Sequence, residues 1–138
     1  MTVVSNTSPL RYLVAIGRAD LIESVFGHVL IPRGVAHELT RSSAPKVRRQ
    51  WMAQSPTWLE IRNVAPAPDA ELVRRLDHGE GEAIQLAVDL RADFILIDER
   101  RGREMATARA LTAISHRWKS RNRFFELWPV ISTDACPS

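Results

Sequence analysis

Cysteine is nearly absent from this sequence: among 138 residues Cys136 is the only one. A lone thiol cannot close an internal disulfide or build a thiolate zinc site, so disulfide scaffolds and zinc ribbons are excluded. Long apolar runs are lacking too. The strongest, Phe94-Ile95-Leu96-Ile97, is far shorter than the roughly 20 residues a membrane helix needs, and no span is expected. The opening Met1-Thr2-Val3-Val4-Ser5-Asn6 shows no basic segment followed by an apolar stretch and a small-residue cleavage site, so a cytoplasmic address is expected. Three nucleotide and hydrolase signatures are also missing. Gly79-Glu80-Gly81 lacks the third glycine of a dinucleotide fingerprint, and neither a phosphate loop ending in Gly-Lys-Ser or Gly-Lys-Thr nor a Gly-x-Ser-x-Gly elbow occurs. What is present, 45% hydrophobic and 25% charged residues with six glycines and eight prolines, fits one domain with a single core over residues 1–138.

Charge is unevenly spread. Residues 1–99 carry a net −2 and residues 100–138 a net +5, and 17 of the 19 cationic side chains are arginine. The planar guanidinium suits phosphate, which makes nucleic acid a candidate partner; a GC-rich genome produces the same bias, and both readings stay open.

Strand and helix signals alternate along the chain. Val3-Val4 reads as a short strand, with Ser8-Pro9 as a hydroxyl cap and first-turn proline and Gly17 as a stop. Asp20 to Phe26 has helical spacing with Asp20 as its cap; Val29-Leu30-Ile31 reads as a strand, and Pro32 opens a helix through Val35, Ala36 and Leu39. A solvent-facing helix is expected around Lys46 to Met52, a strand at Trp58-Leu59-Glu60-Ile61, a loop at Pro66-Ala67-Pro68 and a short helix from Asp69 to Asp77. A longer helix follows His78-Gly79, with Ala83, Ile84, Ala87, Val88 and Leu90 as its inward face. Phe94 to Ile97 reads as a strand covered on both sides, and a helix is expected to start near Arg101. The pattern predicts a three-layer α/β/α sandwich around a mostly parallel sheet, with ligands beyond the carboxyl ends of the strands.

Polar residues gather at that edge: Asn6, Glu38, Glu80 and Asp98. Each also has a purely structural reading. Asp98 suits a helix cap, Asp77-His78-Gly79-Glu80 resembles a capping box, and Glu38 suits a solvated helix face. Glu80 continues the stripe of Ala83, Ile84 and Ala87, whereas Glu82 aligns with Leu86 and Asp89, which favours Glu80 as the inward carboxylate. Carboxylates gathered in one notch require protons or cations to offset their desolvated charge. An all-oxygen donor set suits Mg²⁺ or Mn²⁺, while His28, His37, His78 and His116 show no zinc-like spacing.

Four stretches in this order carry a resemblance: Val4-Ser5-Asn6-Thr7-Ser8-Pro9-Leu10; Val29-Leu30-Ile31-Pro32 with Val35 and Glu38-Leu39; Leu76-Asp77-His78-Gly79-Glu80-Gly81-Glu82-Ala83-Ile84; and Leu96-Ile97-Asp98-Glu99-Arg100-Arg101-Gly102-Arg103. Over residues 2 to about 110 the chain resembles the PIN-domain proteins, metal-dependent ribonucleases that include toxins of prokaryotic toxin-antitoxin pairs. The resemblance implies catalytic Glu38, Glu80 and Asp98, a metal site of these three with Asn6, and a Mg²⁺ or Mn²⁺ cofactor. It further implies that Thr7 and Ser8, which also read as turn and cap residues, orient the metal site or an RNA phosphate, and that a small antitoxin and a homodimer are partners; Arg100, Arg101 and Arg103 adjoin the site and read either as RNA-phosphate contacts or as a solvated helix face. Asn6 departs from the Asp usual at that position: it offers a carbonyl oxygen but neither a charge nor a base. This departure supports an alternative, a catalytically weak module that binds nucleic acid or an antitoxin. A receiver-like phosphoacceptor domain is disfavoured, because no strand ends in a clear acceptor Asp followed by the expected later Lys. The basic aromatic segment from Ser115 also departs from the family pattern, and a truncated or frame-altered end is expected to leave the last strand and closing helix missing or poorly packed.

Overall fold

The computed structural model describes residues 1–64 and 69–114. Within them β1 (Val3–Ser5), β2 (Val29–Ile31), β3 (Leu59–Ile61), β4 (Phe94–Leu96) and β5 (Ala113–Ile114) form one sheet in the order β3-β2-β1-β4-β5, every pairing parallel. Between them run α1 (Thr7–Ala15), α2 (Asp20–Phe26), α3 (Arg33–Leu39), α4 (Lys46–Ala53), α5 (Ala70–Arg75), α6 (His78–Leu90) and α7 (Arg100–Ala108). This is the expected α/β/α sandwich, with a sheet that is wholly rather than mostly parallel. Among the described residues no helix is long and apolar enough to cross a membrane.

Parallel strands need crossover connections, and the crossing helices cover the sheet faces, so the strands must be apolar on both sides. β1 and β2 are buried at every residue, and the register sets Val4 beside Leu30 on one flank and Ile95 on the other. Val4, Ile31, Ile84 and Ile95 are completely buried, each contributing about 1.5–3 kcal/mol by removal from water.

The sheet grows outward from β1 in two directions. β2 and β3 extend one side; the chain then returns to the other side of β1 for β4 and β5. The carboxyl ends of β1 and β4 are therefore neighbours at the point where the winding reverses, the crevice in which open α/β sheets hold ligands. The Asn6 N–H donates to the Leu96 carbonyl at 2.8 Å and ties the two ends together.

Several boundaries differ from the sequence expectation. α1 begins at Thr7 with Asn6 in the cap position, not at a Ser8 cap; Pro9 is still tolerated because first-turn N–H groups have no intrahelical acceptor. Its end is as expected: Gly17, at φ +73°, and Arg18 bond back to Val14 and Leu13, closing the helix with a left-handed glycine. Ala19 rather than Asp20 caps α2, and α7 starts at Arg100 after Glu99, so Asp98 is not its cap. On α6, Leu86 is buried and Val88 is 37% exposed, the reverse of the expected assignment, because the helix packs against β1 and β4 on one side and α3 and α5 on another. β5 closes the described part of the sheet: Ala113 and Ile114 are buried and pair with Ile95 and Leu96; the expected truncated or frame-altered end falls on residues 115–138. The Pro66-Ala67-Pro68 loop, the basic aromatic segment from Ser115 and Cys136 lie outside the described residues.

Candidate active site

Four polar side chains approach the carboxyl edge of the sheet by different routes. Asn6 follows the central strand directly and is 4% exposed; Asp98 lies two residues past β4 and is 8% exposed. Glu80 sits in the first turn of α6 at 5% exposure. Glu38 is half-buried near the end of α3, so it is not the solvated residue its helix position alone allowed.

Glu38 is fixed by two donors. The Thr7 hydroxyl donates to Oε2 at 2.7 Å, and the Gly79 N–H donates to Oε1 at 3.2 Å. These bonds join the first residue of α1, the end of α3 and the start of α6. Gly79 makes the approach possible, since a Cβ there would stand 2.5 Å from Glu38 Oε1. Glu82 locks the same corner from behind: it accepts the Gly34 N–H at 2.8 Å and pairs with His78 at 2.9 Å. It is a mostly buried brace between α3 and α6, not the outward residue expected.

Glu80 differs. The capping box does not form, because Asp77 makes no side-chain cap bond and Glu80 turns inward. Its carboxylate lies against the Cα of Gly102 on α7, where any Cβ would overlap it and would stand 2.5 Å from Ile97 Cδ1. Glu80 Oε1 and Asn6 Oδ1 are both buried without a hydrogen-bond partner among the described residues. Burial pushes the Glu80 pKa up to about 7; Glu99, Asp77 and Glu38 act in the same direction and Arg101 opposes them. Buried polar atoms ordinarily find partners, and orphaned ones call for a proton or a cation.

Two clefts flank α1 at this edge. The larger, about 750 Å³, is lined by Ser8, Arg11, Tyr12, Ala15, Asp98, Glu99, Arg100 and Arg103. The smaller, about 200 Å³, is lined by Thr7, Arg11, Glu38, Arg41, Ser43 and Arg48 with Ala44 and Pro45. Thus Ser8, Arg100 and Arg103 share a cleft with Asp98, whereas Thr7 sits with Glu38. Arg100 pairs with Glu104 at 3.0 Å, and Arg101 donates to the Arg75 carbonyl at 3.4 Å.

Among the described residues no three His, Cys, Asp or Glu side chains stand close enough together to enclose a metal ion. Glu38, Glu80, Asp98 and Asn6 share one edge without forming a closed cage. The donor chemistry nevertheless fits a hard divalent cation. The donors are all oxygen, two of them are buried without partners, and Mg²⁺ commonly takes only one or two carboxylates, keeping several waters and completing its shell with substrate phosphate. Sequence reasoning missed Arg11, Arg41, Arg48 and the role of Gly102. Only the last had a local signal, a glycine inside a helical pattern that costs about 1 kcal/mol unless packing requires it.

A PIN-domain family matches residues 2–115, and the chain belongs to the PIN-domain family, whose members are generally nucleases that use divalent metal ions. A PilT N-terminus domain protein from the hyperthermophilic archaeon Sulfolobus solfataricus P2 has a similar fold, with a TM-score of 0.61 and 18% identity over 83% of this chain and 87% of that one. No curated protein matches the chain.

Proposed function

We propose that the protein is an endoribonuclease that hydrolyses RNA phosphodiester bonds with Mg²⁺ or Mn²⁺. The observation that carries this reading is the buried carboxylate oxygen of Glu80, unpartnered beside the carboxyl ends of β1 and β4. A divalent cation bound there would polarise the phosphate and make a nearby water more acidic. Glu80 and Asp98, with the Asn6 carbonyl, are the residues that would hold it. Glu38, steadied by Thr7 and Gly79, would complete the acidic edge from the other side. Arg11, Arg100 and Arg103 line the cleft that also contains Asp98, and there they would draw phosphates in through salt-sensitive contacts.

A small antitoxin would act as inhibitor in a toxin-antitoxin pair, and homodimerisation is part of the same proposal. Mn²⁺-dependent cleavage of single-stranded RNA, measured beside an Asp98→Asn variant, tests the catalytic core: cleavage by the parent with loss in the variant supports it. Equal cleavage by both indicates a contaminant and overturns it.

A second reading, a module that binds nucleic acid without cutting it, is favoured by Asn6, which supplies no charge where family members carry Asp. RNA binding by both proteins with cleavage by neither supports that reading.

A further inference from the structure

Two sets of arginines contrast among the described residues. Arg18, Arg62, Arg75, Arg100 and Arg109 pair with carboxylates at 3.2, 2.6, 3.3, 3.0 and 3.4 Å. Arg11 on α1, Arg41 after α3 and Arg48 on α4 instead meet around the smaller recess. Among the described residues their side chains carry no hydrogen bond or ion pair. Arg48 is half-buried, and its pKa is lowered by that burial and by the neighbouring positive charge of Arg11. Folding has gathered three cations from separate segments around a single carboxylate, Glu38, which leaves an excess of positive charge in the recess.

The rest of the lining narrows the missing anion. Ser43 contributes a hydroxyl donor, while that of Thr7 is engaged with Glu38, and the recess opens at the N-terminus of the eight-residue helix α4, where first-turn N–H groups and the helix dipole favour negative charge. The wall contributed by Glu38 has both oxygens engaged by Thr7 and Gly79. Among the described residues no aromatic side chain lines the recess, and its volume of about 200 Å³ is below the 300 Å³ or more of ordinary small-ligand pockets. A base therefore has nothing to stack on and little room, whereas a single phosphate group fits.

We propose that this recess is a phosphate subsite that holds one backbone phosphodiester of single-stranded RNA, a neighbour of the linkage at the carboxylate edge. The assignment rests on the RNA reading above. Arg11 lines both clefts, so a strand leaving the larger cleft reaches the recess across α1, one helical turn from Arg11 to Thr7. The contact is with the backbone and independent of sequence.

The test uses the full chain in EDTA, so that binding is read without cleavage. Fluorescence anisotropy follows hexameric single-stranded RNAs, one fully charged and the others each with a single uncharged methylphosphonate linkage, against the parent and Arg41→Ala/Arg48→Ala. The expected result is a loss of about tenfold for the parent at one linkage position. The double variant should bind the charged RNA about tenfold more weakly, show a shallower salt dependence and no longer sense that linkage. Arg41→Ala alone, at an exposed residue, should give a smaller change in the same direction and guards against misfolding of the double variant.

Parental affinity and salt dependence in both variants, equal loss at every linkage, or no RNA binding by the parent overturns the proposal. Competition by a polyglutamate peptide as effective as RNA also overturns it, and assigns the recess to an acidic protein segment. The linkage effect without Mn²⁺-dependent cleavage would sink the nuclease reading and leave the subsite standing. Cleavage with the same KM in parent and double variant would do the opposite.

Discussion

The two corners that bring Glu38 and Glu80 to the sheet edge are built from similar parts and reach opposite electrostatic outcomes. Each sets a glutamate against a helical glycine, Gly79 for Glu38 and Gly102 for Glu80. In the first corner both carboxylate oxygens receive hydrogen bonds, from a hydroxyl and a backbone N–H. In the second, one oxygen is buried with no partner and the group holds its proton up to about pH 7. The difference teaches what each corner does. The Glu38 corner fixes the relative positions of α1, α3 and α6, whereas the Glu80 corner leaves unbalanced charge for a cation to satisfy.

The largest expected effect separates the corners by activity. Glu80→Gln should lower metal-dependent RNA cleavage by about a thousandfold, the loss of several kcal/mol of transition-state stabilisation, while Thr7→Val should cost only about tenfold by loosening Glu38. Equal losses would erase the distinction.

A pH series comes next. Between pH 4.5 and about 7 the folded protein retains a proton on Glu80 that the unfolded chain has released, so stability in EDTA should fall as pH rises through that window and stay low above it. The full change is up to about 3 kcal/mol. Glu80→Gln should flatten the Glu80 part of this dependence in urea melts, and added Mg²⁺ should restore more stability at pH 8 than at pH 5. A parent and variant with identical profiles would place the proton elsewhere.

Smaller effects sharpen the picture. Gly102→Ala must displace the Glu80 carboxylate and Ile97, and should destabilise by about 1–3 kcal/mol in denaturant melts. Gly79→Ala presses mainly on the end of the Glu38 side chain and should cost less; the opposite order would mean that the second corner is the looser one. Asn6→Asp should tighten Mn²⁺ about tenfold in a calorimetric titration and reduce metal-free stability by about 1 kcal/mol, because it buries a charge without a partner. Unchanged affinity would remove Asn6 from the cation's surroundings.

Much of the scaffold was legible because its signals are local. Val3-Val4, Val29-Leu30-Ile31 and Phe94 to Ile97 are apolar on both faces, as a covered parallel sheet requires, and Asn6 and Asp98 could be placed at the edge by counting from strand ends. Glu80 followed from the stripe of Ala83, Ile84 and Ala87. Helical spacing could not decide between Leu86 and Val88, since α6 packs on more than one side. Nor could it reveal the bracing role of Glu82, which depends on Gly34, 48 residues earlier. The meeting of Arg11, Arg41 and Arg48 is likewise a product of α1 packing beside α4, and no local pattern records it.

The pairing of β1 with β4 also governs when this edge can exist. Val3, Val4 and Ser5 lie beside Phe94, Ile95 and Leu96, so β1, once made during translation, waits for a strand made some ninety residues later. Such distant closure favours slow, late assembly. A growing polypeptide cannot complete the crevice until Asp98 has left the ribosome, by which time most of the domain is available to fold around it.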